Sequence, residues 1–270
     1  MPGFWLGPVA THRGYRLFSY DEIGSTSTEA AQAAHVGDVG DVWFASLKQT
    51  AGRGRRGRAW ETPSGNLAAS LLIVPDSDPA LAATLGFVAG VALNSALAEV
   101  LPGALVRHGV DGARRIALKW PNDLLADGAK LAGILLEAHK RPDGRQAIVI
   151  GFGVNVVSAP EGLAYPATSL AALGATVDAP TIFAALSDRW VAALDLWASG
   201  RGVADVLTRW REAAAGIGSE IAVAQDGSVV RGIFESIDDS GRLIVRANDN
   251  SRVAISAGDV HLGVTATVRG

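Results

Sequence analysis

Residues 121–140 read PNDLLADGAKLAGILLEAHK. Two apolar runs flank Asp127-Gly128, a dipeptide suited to the tight hairpin turns in which both central residues take positive φ. The stretch therefore predicts a bend, a short strand, a two-residue turn and a longer strand that begins near Lys130. Upstream, Ile116–Trp120 is a strand that stops at Pro121, because proline cannot donate to a sheet ladder. Downstream, Pro142-Asp143-Gly144 turns the chain into Gln146–Ile150, another strand, which runs on into GFGVNV at 151–156. Successive hairpin-linked strands mean a mixed, largely antiparallel sheet, and with the helices read below they predict an α+β fold, not a doubly wound α/β one.

Working outward, Val42–Lys48 is a strand that leads into QTAGRGRRGRAW at 49–60. There Gly52, Gly54 and Gly57 are interleaved with Arg53, Arg55, Arg56 and Arg58. Glycine permits positive φ and close backbone approach to a ligand, and arginine supplies always-charged forks for carboxylates and phosphates. The loop is either a solvated surface turn or a mobile cover for something anionic. Asn66–Val74 is a second strand, so the two strands flank the loop in a hairpin-like arrangement. Gly52-x-Gly54-x-x-Gly57 matches a dinucleotide fingerprint in form, but Glu61–Gly65 follows it where a helix should begin. No phosphate-binding P-loop pattern is present, and Gly151-x-Gly153 alone carries little information.

In the rest of the chain, residues 11–24 read as an extended strand. Thr26 with Glu29 has the form of a capping box opening a short alanine-rich helix to about His35. Ser25 and Thr26 either only cap that helix or, with the backbone amides there, form a polar ligand site. Helices are expected over Pro79–Val100, Thr181–Ala198 and Val203–Ala214, with a connection at 102–114. From Ser219 on, short alternating strands separated by DG, DSG and NDN turns describe a small separate β-barrel. The division is expected as 1–217 and 218–270.

Composition narrows the function classes. The 270 residues are 49% apolar and 19% charged, with a net charge of −3 and no cysteine. The absence of cysteine excludes disulfides, thiolate zinc sites and a cysteine nucleophile, and the five histidines show no ligand-like spacing. The acidic balance argues against a general nucleic-acid binder, as does a single arginine-glycine cluster without repeats. The N-terminus lacks the pattern of a signal peptide, and the apolar run at 79–101 is broken by Asn94, Ser95 and Glu99, as suits a buried core helix better than a membrane span. A soluble, cytoplasmic protein is expected.

KWPND at Lys119–Asp123 places a cation, an indole, an amide and a carboxylate at a strand end beside a bend, where scaffolds carry binding groups. Lys130 is a charge directly before a buried strand, and Gly133 allows close ligand approach. Singly these residues read as structural: Trp120 as core, Asp123 as a turn cap, Lys130 as a snorkelling surface residue. Jointly with the arginine loop they resemble the biotin protein ligases. The resemblance is carried by STS at Ser25–Ser27, QTAGRGRRGRAW, KWPNDL, KLAGILLE and GFGVNV, in the family's order, with the small C-terminal barrel also in place.

The resemblance implies a class II synthetase-like catalytic domain with a C-terminal SH3-like barrel. It implies a two-step reaction: ATP activates biotin as biotinyl-adenylate with release of pyrophosphate, and a lysine of a biotin carrier domain, such as that of acetyl-CoA carboxylase, then takes the biotin. By matching motifs, Arg55 and Lys130 would be catalytic. Ser25, Thr26, Ser27, Gln49, Gly52, Arg53, Gly54, Arg55, Lys130 and Gly133 would bind biotin. Arg55, Arg58, Trp60, Lys119, Asn122, Lys130 and Asn155 would surround the nucleotide. Magnesium would arrive on the ATP phosphates, not in a site of protein side chains. Where the family commonly has Asn after Ser-Thr, this chain has Ser27. About two dozen residues precede Ser25, too few for the helix-turn-helix domain of some relatives, so an enzyme without DNA or membrane binding is expected. A monomer and a homodimer are both compatible with the sequence. Lipoate ligases share the reaction type and are the nearest alternative, and a catalytically dead adapter with this fold is a third reading.

Overall fold

A computed structural model describes residues 3–106, 115–225 and 228–262. In chain order the elements are α1 (Pro8–His12), β1 (Arg16–Tyr20), α2 (Thr26–His35), β2 (Val42–Ser46), β3 (Leu67–Ile73), α3 (Leu85–Val100), α4 (Gly103–Val106), β4 (Ile116–Lys119), β5 (Asp123–Ala126), β6 (Ala129–Lys140), β7 (Gln146–Val154), α5 (Ala179–Trp197), α6 (Val203–Glu212), β8 (Glu220–Gln225), β9 (Ser228–Ile237), β10 (Leu243–Arg246), β11 (Arg252–Ile255) and β12 (Asp259–Leu262).

Seven strands form the first sheet in the order β1-β2-β3-β7-β6-β5-β4. β1 runs parallel to β2, and the remaining pairs are antiparallel. Asp127 and Gly128 both take positive φ, +48° and +80°, as the hairpin between β5 and β6 requires. One face of the sheet, which carries Trp43, Leu71, Ile150 and Phe152, packs against α3 and α5, and α6 packs on those two helices. On the other face, α2 lays Ala30 and Ala34 on Val42, Phe44, Leu72 and Val149. The apolar segment 79–101 is a 3₁₀ turn (Pro79–Thr84) followed by α3, whose residues are buried nearly all round against α5, as a central core helix should be.

The second sheet is fully antiparallel, in the order β11-β10-β9-β8-β12, leaving β11 and β12 as edges among the described residues. Its inner residues Val223, Phe234, Leu243 and Val260 join the core of the first sheet. The Trp120 indole, buried as expected, donates to the Gly241 carbonyl at 2.9 Å and ties the end of β4 to this second layer.

Several local expectations need correction. The strand expected over 11–24 is confined to Arg16–Tyr20, because Pro8 at the first helical turn starts α1 instead. The capping box does not form: Ser25 is the N-cap and makes no side-chain cap bond, while the Thr26 hydroxyl is drawn away to Gln49 and Ser70. The connection at 102–114 contains α4, and its residues 107–114 lie outside the described residues, as do Asp226-Gly227, where a turn is expected, and residues 263–270.

Candidate active site

The face that carries α2 is only partly covered by it, and the uncovered part is the floor of a cleft of about 640 Å³. Strand register builds that floor. Lys119 stands opposite Asp123, Asp123 opposite Gly133, and Gly133 opposite Gly153, one row across four strands. Two residues along, Leu135, Gly151 and Ser70 form the next row on the same face. Three glycines thus lower the floor where a ligand would lie. A Cβ on Gly151 would sit 2.9 Å from the Ser27 hydroxyl, and one on Gly153 would overlap the Trp60 indole.

Lys130 reaches the floor through an irregularity. The β5–β6 register slips between Leu124 and Leu125, so that Lys130 falls opposite Leu125 and Leu131 is left over. A bulge of this kind re-aims the side chain next to it. The Lys130 ammonium lies 2.7 Å from Asp123 Oδ1 and 5.5 Å from the ring centres of both Trp60 and Tyr165. Lysine is thereby fixed by a carboxylate and two π faces, with its charge on the cleft wall. Burial pulls the neighbouring Lys119 ammonium below the usual lysine range, against the nearby Asp123 carboxylate and with the help of Lys130.

The arginine loop closes one side. It is a hairpin tip, bridged at Gln49–Thr62 and Arg53–Ala59, with a 3₁₀ turn at Arg55–Gly57 in which Arg56 and Gly57 take positive φ. Arg55 Nη1 donates to Asn122 Oδ1 at 3.0 Å, while Asn122 Nδ2 donates to the Ile134 carbonyl. Arg53 pairs with Glu137 at 3.7 Å. Arg56 and Arg58 both reach Asp259 on β12, at 3.2 and 2.9 Å. Burial pushes the Asp259 carboxyl up, but Arg58 and Arg56 outweigh it and hold the group below the usual carboxylate range.

At the opposite end, Gln49 Oε1 accepts from the Thr26 backbone N–H (2.8 Å) and hydroxyl (3.1 Å), and Gln49 Nε2 donates to Thr62 Oγ1 (3.2 Å). Thr26 and Ser27 both contact the Ser70 hydroxyl, at 2.8 and 3.0 Å.

Of the residues named from sequence, Ser25, Thr26, Ser27, Gln49, Arg53, Gly54, Arg55, Arg58, Trp60, Lys119, Asn122, Lys130 and Gly133 line this one cleft. Gly52 does not. It is packed inside the loop, where Trp60 N–H donates to its carbonyl at 3.0 Å and a Cβ would sit 2.7 Å from Gln49 Nε2. Asn155 lies behind the wall, on a side recess of about 40 Å³ shared with Trp60, Lys130 and Tyr165. Its Nδ2 donates to the Thr168 carbonyl at 3.1 Å, and its buried Oδ1 has no hydrogen-bond partner among the described residues.

Sequence reasoning missed Ser70, Asp123 as the partner of Lys130, Tyr165, Glu137 and Asp259. Ser70 had a visible signal, a lone hydroxyl in the apolar run NLAASLLIV; Asp259, on a remote strand, had none. A cleft with polar hydroxyls and an amide in one part, and fixed cations beside an indole over glycines in another, suits a small acid with a polar head beside a nucleotide.

Family comparison agrees. Residues 39–155 match the biotin/lipoate A/B protein ligase family and residues 216–263 the biotin protein ligase C-terminal domain. The biotin--[acetyl-CoA-carboxylase] ligase of Paracoccus denitrificans is 38% identical over 248 residues, covering 88% of this chain and 97% of that one. This chain belongs to the biotin protein ligase family. A second member, the biotin--[acetyl-CoA-carboxylase] ligase of Mycobacterium tuberculosis, is 35% identical over 244 residues, covering 88% and 86%. The solved biotin protein ligase from Aquifex aeolicus, in complex with biotin and ATP, shares the ligase fold with a TM-score of 0.75 at 22% identity, covering 92% of this chain and 99% of that one.

Proposed function

We propose that this protein is an ATP-dependent biotin protein ligase. It activates biotin as biotinyl-5′-AMP with release of pyrophosphate, then transfers biotin to a lysine of a biotin carrier protein such as that of acetyl-CoA carboxylase. The observation that carries this reading is the convergence of Lys130, Arg55 and the hydroxyl–amide group of Thr26, Ser27 and Gln49 on one cleft, in a chain of the ligase family.

The biotin head is held at Ser25, Thr26, Ser27 and Gln49, and its tail runs over Gly133 toward Lys130. Attack of the biotin carboxylate on the α-phosphate brings anions together, so cations must offset their repulsion and the charge that develops on the phosphoryl oxygens. Lys130, held by Asp123, sits where those charges meet. Arg53 and Arg55 cover the carboxylate and phosphate from the loop, and Asn122 holds Arg55 in place. Trp60, Arg58 and Lys119 surround the nucleotide, and Asn155 backs Trp60 and Lys130 from the side recess. Shielding the adenylate from water is the work of the loop. In the second step the carrier lysine amine attacks the mixed anhydride, an amide forms, and AMP leaves; no protein nucleophile is needed.

Magnesium offsets phosphate charge in such a reaction. Among the described residues no three His, Cys, Asp or Glu side chains converge, and the two carboxylates on the cleft wall, Asp123 and Asp259, already face cations. That donor set fits a metal arriving on the phosphates of ATP.

The test is exchange of labelled pyrophosphate into ATP by the purified protein, with lipoate as control acid. Exchange with biotin and not lipoate is expected, and Arg55→Gly should release adenylate to solution. No exchange with either acid would sink the ligase mechanism, and exchange with lipoate alone would mean the right chemistry on the wrong acid.

A further inference from the structure

The hydroxyls of Thr26, Ser70 and Ser27 form a chain whose hydrogen positions are determined from one end. The Thr26 backbone N–H can only donate, so the Gln49 amide atom 2.8 Å from it is the oxygen. That oxygen can only accept, and the Thr26 hydroxyl therefore gives its one hydrogen to Gln49. Thr26 Oγ1 must then accept from Ser70 across their 2.8 Å contact. With its hydrogen spent, Ser70 must accept from Ser27 across 3.0 Å. The direction of every bond follows, and each hydroxyl in the chain has already used its hydrogen. All three residues are largely buried in the cleft lining, and the order is set from the Gln49 end, whatever meets Ser27.

From this chain we infer that Ser70 sets the polarity of the polar end of the cleft. It commits the Ser27 hydroxyl to act as an acceptor, so this end takes a ligand through an N–H group and rejects one that presents an acceptor there. Ser70 acts through Ser27 and is a positioning residue that determines specificity. Gly151 belongs to the device: a side chain there would press on the Ser27 hydroxyl at 2.9 Å. Ser70 is the one hydroxyl in an otherwise apolar β3, and it stands on the cleft floor within reach of both Thr26 and Ser27.

The inference deepens the proposed function and rests on it for the ligand's identity: the N–H belongs to the ureido ring of biotin. Two carbamate analogues of biotin, each with one ureido N–H replaced by oxygen, test it. An oxygen facing an acceptor-only Ser27 leaves both unpaired, which costs affinity.

Equilibrium binding of biotin and both analogues is measured on wild type, Ser70→Ala and Ser70→Cys. Wild type is expected to bind one analogue at least about tenfold more weakly than biotin. In Ser70→Ala the Ser27 hydroxyl is free to rotate and donate, so this ratio should narrow by about tenfold. Ser70→Cys keeps the shape with a weak donor and should fall between. A merely structural serine would shift all ligands together and leave the ratio unchanged. An unchanged ratio in both variants, or equal wild-type affinity for biotin and both analogues, would overturn the relay while leaving the ligase reading intact. Failure of wild type to bind biotin at all would overturn the proposed function and this inference with it.

Discussion

The Trp60 indole fills the space that a side chain on Gly153 would need. A Cβ at Gly153 would lie 2.7 Å from Cζ2 of the ring and closer still to Cε2 and Nε1. The same ring lies 3.3 Å from where a Cβ on the facing Gly133 would stand, and it covers the Lys130 ammonium. One glycine pair thus sets the depth of the indole, and the indole sets one wall of the cation site.

Gly153→Ala should therefore displace Trp60 without unfolding the sheet. We expect kcat/KM for ATP in pyrophosphate exchange to fall by about a hundredfold, with Tm lowered by only a few degrees, since misplacement of about 1 Å in a site costs that much. A variant with wild-type exchange kinetics would show that the ring's seat on Gly153 is irrelevant to the nucleotide.

Lys130→Met removes the charge that Asp123 holds on the cleft wall while keeping the stem. Adenylation should drop by about a hundredfold or more in single-turnover assays. Asp123→Asn keeps the lysine but loosens it, and a drop of about tenfold is expected. Equal losses in the two variants would argue that Asp123 itself contacts substrate.

Asp259→Asn frees Arg56 and Arg58 from β12. These groups are substantially exposed, so the pairs contribute under about 1 kcal/mol to global stability and Tm should not move. Local opening of the loop should increase instead. Limited trypsin digestion without ligands should cut after Arg56 and Arg58 several-fold faster than in wild type; unchanged cleavage would show that the loop is held without Asp259.

Tyr15 provides a pH signature. Burial, with the Asp41 charge nearby, pushes its hydroxyl up to about 12, even though Trp190 Nε1 donates to it at 3.0 Å. An unfolded tyrosine ionises near 10, so between about pH 10 and 12 the unfolded chain releases a proton that the folded one keeps. The stability contributed by Tyr15 is fully present below that window and is lost as pH rises through it. Denaturant unfolding from pH 8 to 11 should show a decline that is shallower in Tyr15→Phe.

What the sequence determined by itself is what short-range chemistry determines. Asp127-Gly128 specified its hairpin because only a few residue pairs tolerate two positive φ values. The 3.6-residue spacing of Phe183, Leu186 and Trp190 specified α5. The charged motifs named Arg55, Lys119 and Lys130 because their residue types are few and their spacing distinctive. Tertiary structure decided what depends on pairing between distant segments. Thr26 read as half of a capping box because Glu29 lies three residues away, yet its hydroxyl finds Gln49 and Ser70, which chain order does not announce. Lys130 joins Asp123 only through a register slip, Ser70 meets Ser27 only because β3 passes under the start of α2, and Asp259 reaches the arginine loop from another sheet. Sheet register is set by burial summed over whole strands, so no local window of sequence contains it.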